Sequence, residues 1–504
     1  MTGQPRILVI LPNNYGDVIM ATPVLEGLRE RYCDSSIVFF VEEGFDAGLQ
    51  GNPHCSGIVC FNRRDVRQAL ESGNGRDGLD ALRGIVGSLN QGRFDAVINL
   101  AQHSYVSHLA GCIETKQWHG QRFLHAGNHS LGDGWSRYLY AIPFARRFNN
   151  LHVTDVYRRI CGVQAHGGRN TIVFTKQETG ATAEFLHDQG VVCGDKTVLM
   201  QPGSAYPSKR WPAENFIMLG VLLARAGWRI IVSGAPYDHD LAQQIVRGIG
   251  PSCIDCSGML TLRQSMALCS QVQAVVSGDT AMMHAAAAVP VPVFALFGPT
   301  SPIETGPYGN GHVIFSGGCD KRPCFKKECA SHQCMRSIQP QTIFDCIEHK
   351  TVPLQDGCSI YKTVLQPSGD YSMAACIGPA FDWFEASGSA LTRVLLGEQP
   401  MVAEFTKEEL APHLQELRLV ESVCGEMVGA LNSFMATREK KYIRLFEGVK
   451  EKLGLFSGIG AFAGALINLQ INSIPLLNVP AGVVAYRQAL CSFSTTLRAI
   501  IDQV

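Results

Sequence analysis

The stretch Val275-Val-Ser-Gly-Asp279-Thr280-Ala-Met-Met-His284-Ala-Ala-Ala-Ala288 decides the fold class. An apolar run ends in a Gly-Asp-Thr turn, and a segment of small residues follows at once. This order predicts a strand over 274–277 and a helix over 280–288. Free backbone N–H groups at the start of such a helix bind anions, so the turn is a candidate phosphate site.

The same alternation of strand and helix recurs on both sides of this stretch. The predicted strands are 6–11, 37–41, 58–61, 96–100, 198–201, 229–233, 274–277 and 291–297. The predicted helices are 17–32, 213–226, 238–249 and 280–288. Continuous apolar strands that alternate with helices predict parallel sheets. Ligands are then expected at the carboxyl ends of the strands, in the turns after residues 11, 201, 233 and 277.

The pattern stops at Gln164-Ala-His-Gly-Gly-Arg169 and then restarts, which indicates two domains of similar design. We predict an N-terminal Rossmann-like domain over 1–165 and a second one over 170–350. A hairpin or linker is expected over 351–379, around Pro-Ser-Gly-Asp, and a helical extension over 380–504.

The extension contains one long segment, Leu453–Tyr486, that has no charged residue. Glycine, asparagine, glutamine and proline interrupt it repeatedly, which favours a buried hairpin or an oligomer interface over a membrane span. A peripheral membrane contact and a homo-oligomer through the C-terminal helices are kept as alternatives.

The composition excludes some classes of partner. Lysine and arginine number 43 and acidic residues 44, for a formal net charge of -1, so no overall field attracts nucleic acid. Any anion site is therefore local. An apolar strand begins almost at once, without the pattern of a signal peptide, and we expect a cytoplasmic protein.

The first candidate loop is Leu11-Pro-Asn13-Asn-Tyr-Gly16-Asp17, between a predicted strand and a predicted helix. Glycine lets the backbone approach a ligand closely. Asp17 can be an N-cap residue that accepts backbone N–H bonds. It can also be a general base that accepts the proton of an attacking hydroxyl group.

The second candidate loop is Gln201-Pro-Gly-Ser204-Ala-Tyr-Pro-Ser-Lys209-Arg210, directly after another strand. Ser204 can donate a hydrogen bond, and Lys209 or Arg210 can neutralise a diphosphate. The alternative is a surface loop with solvated basic side chains.

The third candidate group belongs to the turn quoted first. Because a carboxylate repels phosphate, Asp279 is expected to cap the helix or to orient donors. The amides of Thr280 and Ala281 would then contact the anion. His284, one turn into the helix, either faces the same phosphate or is a structural histidine with hydrogen-bond partners.

Three motifs together resemble glycosyltransferase family 9, which includes the ADP-heptose heptosyltransferases, over roughly 1–350. They are Gly16-Asp-Val-Ile-Met-Ala-Thr-Pro23, Lys209-Arg-Trp-Pro212 and the run from Ser277 to Phe297-Gly-Pro-Thr300. Two positions differ, because the family usually has Gly at 281 and often a second hydroxyl at 205, and both are Ala here. The resemblance implies a GT-B fold, inversion by direct displacement and no catalytic metal. It implies a general base at Asp17, diphosphate contacts at Ser204 and Lys209, and a nucleotide-base contact at Leu260.

The implied activity is transfer of a heptose-like sugar from an ADP-heptose-like donor to a hydroxyl group. The acceptor would be a cell-envelope glycan, such as lipopolysaccharide, or a glycoprotein. Two alternatives are a non-catalytic GT-B scaffold that binds a nucleotide and a sugar-nucleotide epimerase. The Asp17 loop favours transfer over both.

Four cysteines recur at equal spacing in one loop, at Cys319, Cys324, Cys329 and Cys334, with basic residues between them. Four thiolates suit a structural zinc or iron ion, although ligand pairs are commonly two to four residues apart. Disulfides and packed reduced thiols are the alternatives.

Overall fold

The structure is a computed structural model. It describes residues 4–71, 75–124, 128–130, 132–144, 146, 149–163, 169–353, 356–366, 368–377 and 414–437, and positions 445, 449, 487, 488, 490, 491, 494, 495 and 498. The described chain divides into two compact units. The first comprises Met1–Asp95 and Leu151–Ala380, and the second comprises Ala96–Asn150 and Phe381–Val504. The domain boundaries expected from the sequence do not follow this division and stay predictions.

The first unit begins with three parallel strands in the order β3-β2-β1. Its elements are β1 (Arg6–Ile10), α1 (Tyr15–Met20), α2 (Thr22–Arg31), β2 (Ser36–Glu42), β3 (Gly57–Phe61), α3 (Arg63–Glu71) and α4 (Gly75–Gln91). The single helix predicted over 17–32 is divided at Ala21. Pro23 explains the division, because proline lacks an N–H group and fits only the first turn of a helix.

The second unit opens with four short strands and two helices. They are β4 (Ala96–Asn99), α5 (Ser104–Gly111), β5 (Gln117–Gly120), β6 (Arg122–Leu124), β7 (Asn128–Ser130) and α6 (Gly134–Ala141). Strands β4 and β5 pair in parallel, and β6 and β7 form an antiparallel ribbon.

The first unit resumes with α7 (Val153–Ile160), α8 (Lys176–Asp188), β8 (Lys196–Gln201), α9 (Ala213–Arg225), β9 (Trp228–Val232), α10 (His239–Ile249), β10 (Cys253–Asp255), α11 (Leu262–Leu268), β11 (Ala274–Gly278) and α12 (Ala281–Ala287). It continues with β12 (Val293–Phe297), α13 (Pro302–Thr305), β13 (Val313–Gly317), α14 (Gln333–Arg336), α15 (Pro340–Phe344), β14 (Cys358–Leu365) and β15 (Tyr371–Ile377). The predicted strands and helices of this part are therefore confirmed to within a few residues.

These eight strands form one sheet in the order β10-β9-β8-β11-β12-β13-β14-β15. The strands from β10 to β13 are parallel, because each connection crosses over through a helix or loop. The predicted hairpin is confirmed as β14 and β15, and β14 pairs antiparallel with β13. The hairpin thus extends the edge of the sheet.

One C-terminal helix, α16 (Leu414–Thr437), belongs to the second unit. Its buried side chains recur at intervals of three and four residues, as expected for a helix with one packed face. They are Leu417, Val420, Val423, Cys424, Met427, Ala430 and Leu431. On this helix Glu421 pairs with Arg498 at 2.7 Å.

The uncharged segment 453–486 lies outside the described residues. Within the described part of the chain, no helix is both long and apolar enough to cross a membrane.

Candidate active site

Two of the candidate loops leave neighbouring strands at paired residues. Gln201, the last residue of β8, is in register with Ser277 of β11. The chain runs from β8 outward to β9 and β10 and then returns to the other side of β8 as β11. A crevice forms where the strand order reverses in this way, outside the carboxyl ends of the strands. The topology therefore brings the loops after Gln201 and Gly278 together.

An ion pair joins these two loops. The Nζ atom of Lys209 lies 2.7 Å from Oδ2 of Asp279, and the two side chains are 18% and 9% exposed. Thr305 donates a hydrogen bond to the other carboxylate oxygen at 3.3 Å. Burial disfavours the charged form of Asp279 and is the largest single influence, but the Lys209 ammonium, the nearby His284 and hydrogen bonds from Lys209 and Thr300 together hold the pKa of the carboxyl group below its ordinary value.

Asp279 does not cap the following helix. The N-cap residue of α12 is Thr280, whose hydroxyl group lies 3.0 Å from that of Ser277, and Ala281 is the first helical residue. Two roles were expected for Asp279, capping the helix or orienting a hydrogen-bond donor. Its contacts fit the second role, because its carboxylate faces the ammonium group of Lys209.

His284 is buried beside this ion pair. Its Nε2 atom lies 4.0 Å from Oδ1 of Asp279. Burial lowers the pKa of His284 to about 4, although Asp279 acts in the opposite direction, so the imidazole is neutral at pH 7. Its buried Nδ1 atom has no hydrogen-bond partner in the part of the chain that the structure describes. A neutral imidazole with an unused nitrogen can still bind a ligand.

The first candidate loop reaches the same place through Gly16. A Cβ atom at position 16 would lie only 3.0 Å from Cδ2 of His284, so glycine permits the close approach of α1 to α12. Asp17 follows directly, within the first turn of α1. The N-cap residue is Asn14, which donates a hydrogen bond from Nδ2 to Oδ2 of Asp17 at 3.1 Å. Asp17 is therefore not an N-cap, and its carboxylate is partly exposed.

Three further polar residues of this site were missed by the sequence analysis. Burial raises the pKa of Tyr157 well above its ordinary value, and the negative charges of Asp17 and Glu304 add to the shift. Burial lowers the pKa of His152 to about 3, and its Nε2 atom donates to the Gly306 carbonyl group at 3.0 Å. The turn that leads to Glu304 and Gly306 follows the carboxyl end of β12. The rule that ligands bind at the carboxyl ends of strands could therefore have found it.

The remaining predicted donor-site residues lie in loops. Ser204 is partly buried, and its carbonyl group accepts a hydrogen bond from Nε of Arg210 at 2.9 Å. Asn13 is partly buried in the turn after β1. Leu260 is partly buried in front of Thr261, the N-cap residue of α11. Their roles stay predictions.

Among the described residues, the structure does not support the metal centre that the four cysteines suggested. The described residues contain no group of three or more His, Cys, Asp or Glu side chains that could hold a metal ion. Cys334 is buried in the hydrophobic core of the eight-stranded sheet, whereas Cys329 is exposed. The loop is held by Arg322 instead, whose guanidinium group donates to the Gly298 and Gly317 carbonyl groups and to Ser316 Oγ.

Comparison with known proteins agrees with these observations. Residues 83–335 match the sequence model of glycosyltransferase family 9 (heptosyltransferase), a match that spans half of the chain. The chain belongs to this family, as its motifs predicted. It is a glycosyltransferase of the heptosyltransferase type, and the predicted enzyme class is confirmed.

Relatives of this chain include heptosyltransferases. Lipooligosaccharide heptosyltransferase 2 of Haemophilus influenzae is 24% identical over 355 residues, which cover 67% of this chain and 96% of the relative. A family 9 glycosyltransferase structure from Veillonella parvula has a TM-score of 0.51 at 25% identity, over 60% of this chain and 83% of its own.

The structure of Escherichia coli heptosyltransferase WaaC with ADP shares the fold. Its TM-score is 0.50 at 18% identity, over 69% of this chain and 100% of its own. The GT-B fold class with parallel sheets and a helical C-terminal region is thereby confirmed.

Proposed function

We propose that this protein is an inverting heptosyltransferase that uses an ADP-heptose-like donor. The observation that carries the proposal is the convergence of Asp17, Lys209, Asp279 and His284 at the carboxyl ends of β1, β8 and β11. A base on one side and a cation on the other are the two groups that displacement of a nucleoside diphosphate requires.

Asp17 is the general base of this proposal. The acceptor hydroxyl group gives its proton to the Asp17 carboxylate while its oxygen attacks the anomeric carbon of the donor sugar. The bond between that carbon and the diphosphate oxygen breaks at the same time, so the configuration inverts. The hydrogen bond from Asn14 and the partial exposure of Asp17 support this role, because a base must be held in place and remain accessible.

Lys209 stabilises the leaving diphosphate. Negative charge grows on the diphosphate as the bond breaks, and a fixed cation in a partly buried site stabilises that charge. Asp279 holds the ammonium group at 2.7 Å and Thr305 holds Asp279, so the cation is positioned before the donor binds. The neutral His284 and the amides of Thr280 and Ala281 complete the donor contacts.

The acceptor is proposed from the relatives. Several are named as lipopolysaccharide or lipooligosaccharide heptosyltransferases, and one structure of a heptosyltransferase contains ADP. We therefore infer that a sugar hydroxyl group of a lipopolysaccharide core is the acceptor of this enzyme.

The Asp17→Asn substitution tests the mechanism. We expect turnover to fall roughly 10²–10⁴-fold, the usual contribution of a general base, while ADP binding is unchanged. Turnover is measured as donor-dependent ADP release in the presence of lipopolysaccharide fragments that lack heptose, and ADP binding by calorimetry.

The matched control is Asp34→Asn, which removes an exposed carboxylate from the same part of the chain and should not change the rate. If Asp17→Asn turns over at the normal rate, the assignment of the base is wrong. If the wild-type protein releases no ADP with any such acceptor, the proposed substrates are wrong.

A further inference from the structure

The loop 319–334, which carries the four cysteines, lies against the loop that carries Lys209. Ser208, the residue before Lys209, donates its backbone N–H to the Lys327 carbonyl group at 3.1 Å and its hydroxyl group to the Lys326 carbonyl group. His332 donates from Nε2 to the Ser208 carbonyl group at 3.0 Å. Three hydrogen bonds thus fix one loop on the other beside the ion pair.

The same loop is anchored to the sheet at its other end. The backbone N–H groups of Cys324 and Phe325 donate to the Pro299 carbonyl group at 2.9 and 3.0 Å. Together with the three contacts of Arg322, these bonds hold the chain before Lys326, and the His332 contact holds it after Lys327. The backbone of Lys327 therefore has a defined position next to the candidate donor site.

Two ammonium groups meet at one aromatic ring. The Nζ atom of Lys327 lies 5.5 Å from the ring centroid of Tyr206, and that of Lys209 lies 5.6 Å from the same centroid. Such contacts attract a cation to the ring face. Lys209 has Asp279 as its counterion, but no carboxylate among the described residues lies within 4.0 Å of Nζ of Lys327. Both ammonium groups therefore border the same aromatic side chain, and an anion bound beside Tyr206 can attract both of them.

We propose that Lys327 is a second cation for the diphosphate of the donor, supplied by the cysteine-bearing loop. The inference deepens the proposed function and rests on it. Tyr206 positions the two ammonium groups, and the hydrogen bonds of Ser208 fix the two loops that carry them relative to each other. Lys209 and Lys327 then share the charge of the bound diphosphate.

Calorimetric titration of the full-length protein with ADP tests this inference. We expect Lys327→Ala to raise the Kd for ADP about tenfold, as for the loss of one charge-assisted hydrogen bond near the surface. The dependence of binding on salt should also become shallower, because fewer charges meet the anion. In turnover assays the KM for the donor should rise more than kcat falls.

Two variants are the controls. Lys327→Arg keeps the charge and should bind ADP within about threefold of wild type. Lys326→Ala removes the neighbouring exposed cation, whose backbone makes the Ser208 contact, and should leave ADP binding unchanged.

The outcomes separate the two proposals. If Lys209→Ala weakens ADP binding and Lys327→Ala does not, the role of Lys327 is wrong and the donor site stands. Equal weakening by Lys326→Ala and Lys327→Ala also contradicts it, because the effect is then one of general charge. If wild-type protein binds no ADP, both proposals are wrong.

Discussion

Two of the carboxylate–cation pairs in the first compact unit differ in how far water and ligands can reach them. Arg158 and Asp155 are 2.9 Å apart, with side chains 5% and 1% exposed. Lys209 and Asp279 are 2.7 Å apart and are more exposed, at 18% and 9%. We call the more buried Arg158–Asp155 pair the closed pair and the more exposed Lys209–Asp279 pair the open pair. The difference suggests that the closed pair stabilises the protein, whereas the open pair is available for chemistry.

The surroundings of the closed pair support this distinction. Asp155 also accepts hydrogen bonds from the Tyr308 hydroxyl group at 2.7 Å and from the Tyr371 backbone at 2.9 Å. Burial and the nearby Asp370 raise the pKa of Asp155 in spite of Arg158. The pKa of Asp279 is lowered instead. The two ion pairs thus have opposite pKa shifts, because the negative charge of Asp370 adds to burial at Asp155, whereas His284 and a Thr300 hydrogen bond add to the effect of Lys209 at Asp279.

The largest expected effect is on stability, in Arg158→Met. Removing one partner of a buried pair leaves an uncompensated charge, so the free energy of unfolding should fall by about 3–5 kcal/mol. Urea denaturation measures this change. The activity of the molecules that remain folded should be close to that of wild type. A variant of normal stability would show that the two pairs do not differ in this way.

The next effect is on catalysis, in Lys209→Met. Loss of a group that stabilises the leaving diphosphate should lower turnover roughly 10²–10³-fold, by analogy with loss of one stabilising donor in a transition state. The free energy of unfolding should fall by less than in Arg158→Met, because the side chains of Lys209 and Asp279 are more exposed than those of Arg158 and Asp155. Turnover and urea denaturation are measured on the same preparation. A large loss of stability with normal turnover would reverse the assignment of the two pairs.

The smallest effect is on the pH dependence of stability, in His284→Gln. The pKa of His284 is about 4 in the folded protein, below its ordinary value of 6.5, so the unfolded chain binds more protons between these values. Folding stability is therefore full above about pH 6.5 and falls as the pH decreases toward 4. This histidine accounts for about 2 kcal/mol of the loss between pH 7 and pH 5.

Urea denaturation at several pH values checks this expectation. His284→Gln should lose about 2 kcal/mol less than wild type between pH 7 and pH 5. His312→Gln is the matched control, because burial also lowers the pKa of His312 to about 4 at a position away from the Lys209 pair. Equal pH profiles for wild type and His284→Gln would mean that His284 titrates normally.

Much of the fold could be predicted from local pattern. The strands of the eight-stranded sheet are apolar runs bounded by turns, and nearly all of those that were predicted lie within two residues of their predicted ends. The division of the helix predicted over 17–32 was missed, since the apolar spacing continues through Ala21 while Pro23 interrupts the hydrogen bonds. The strands β10 and β13 were not predicted, because β10 is very short and β13 follows a loop of glycines.

The predicted metal centre shows what local pattern does not reveal. Equal spacing of four cysteines gives their order along the chain but not the direction of each side chain. Cys334 packs in the core and Cys329 faces solvent, and the described residues contain no group of side chains that could hold a metal ion. A partly buried arginine, Arg322, holds the loop, and its sequence neighbours gave no sign of that role.

The sequence by itself determined the family, the strand and helix order, and the residue types that transfer of a sugar from a diphosphate needs. These follow from periodicity and short motifs, which are local properties of the chain. Only the tertiary structure decided which partner each residue has. The pairing of Lys209 with Asp279, of Gly16 with His284, and of Lys327 with Tyr206 joins residues far apart in the chain. Such contacts depend on strand order and helix packing, which no single motif encodes.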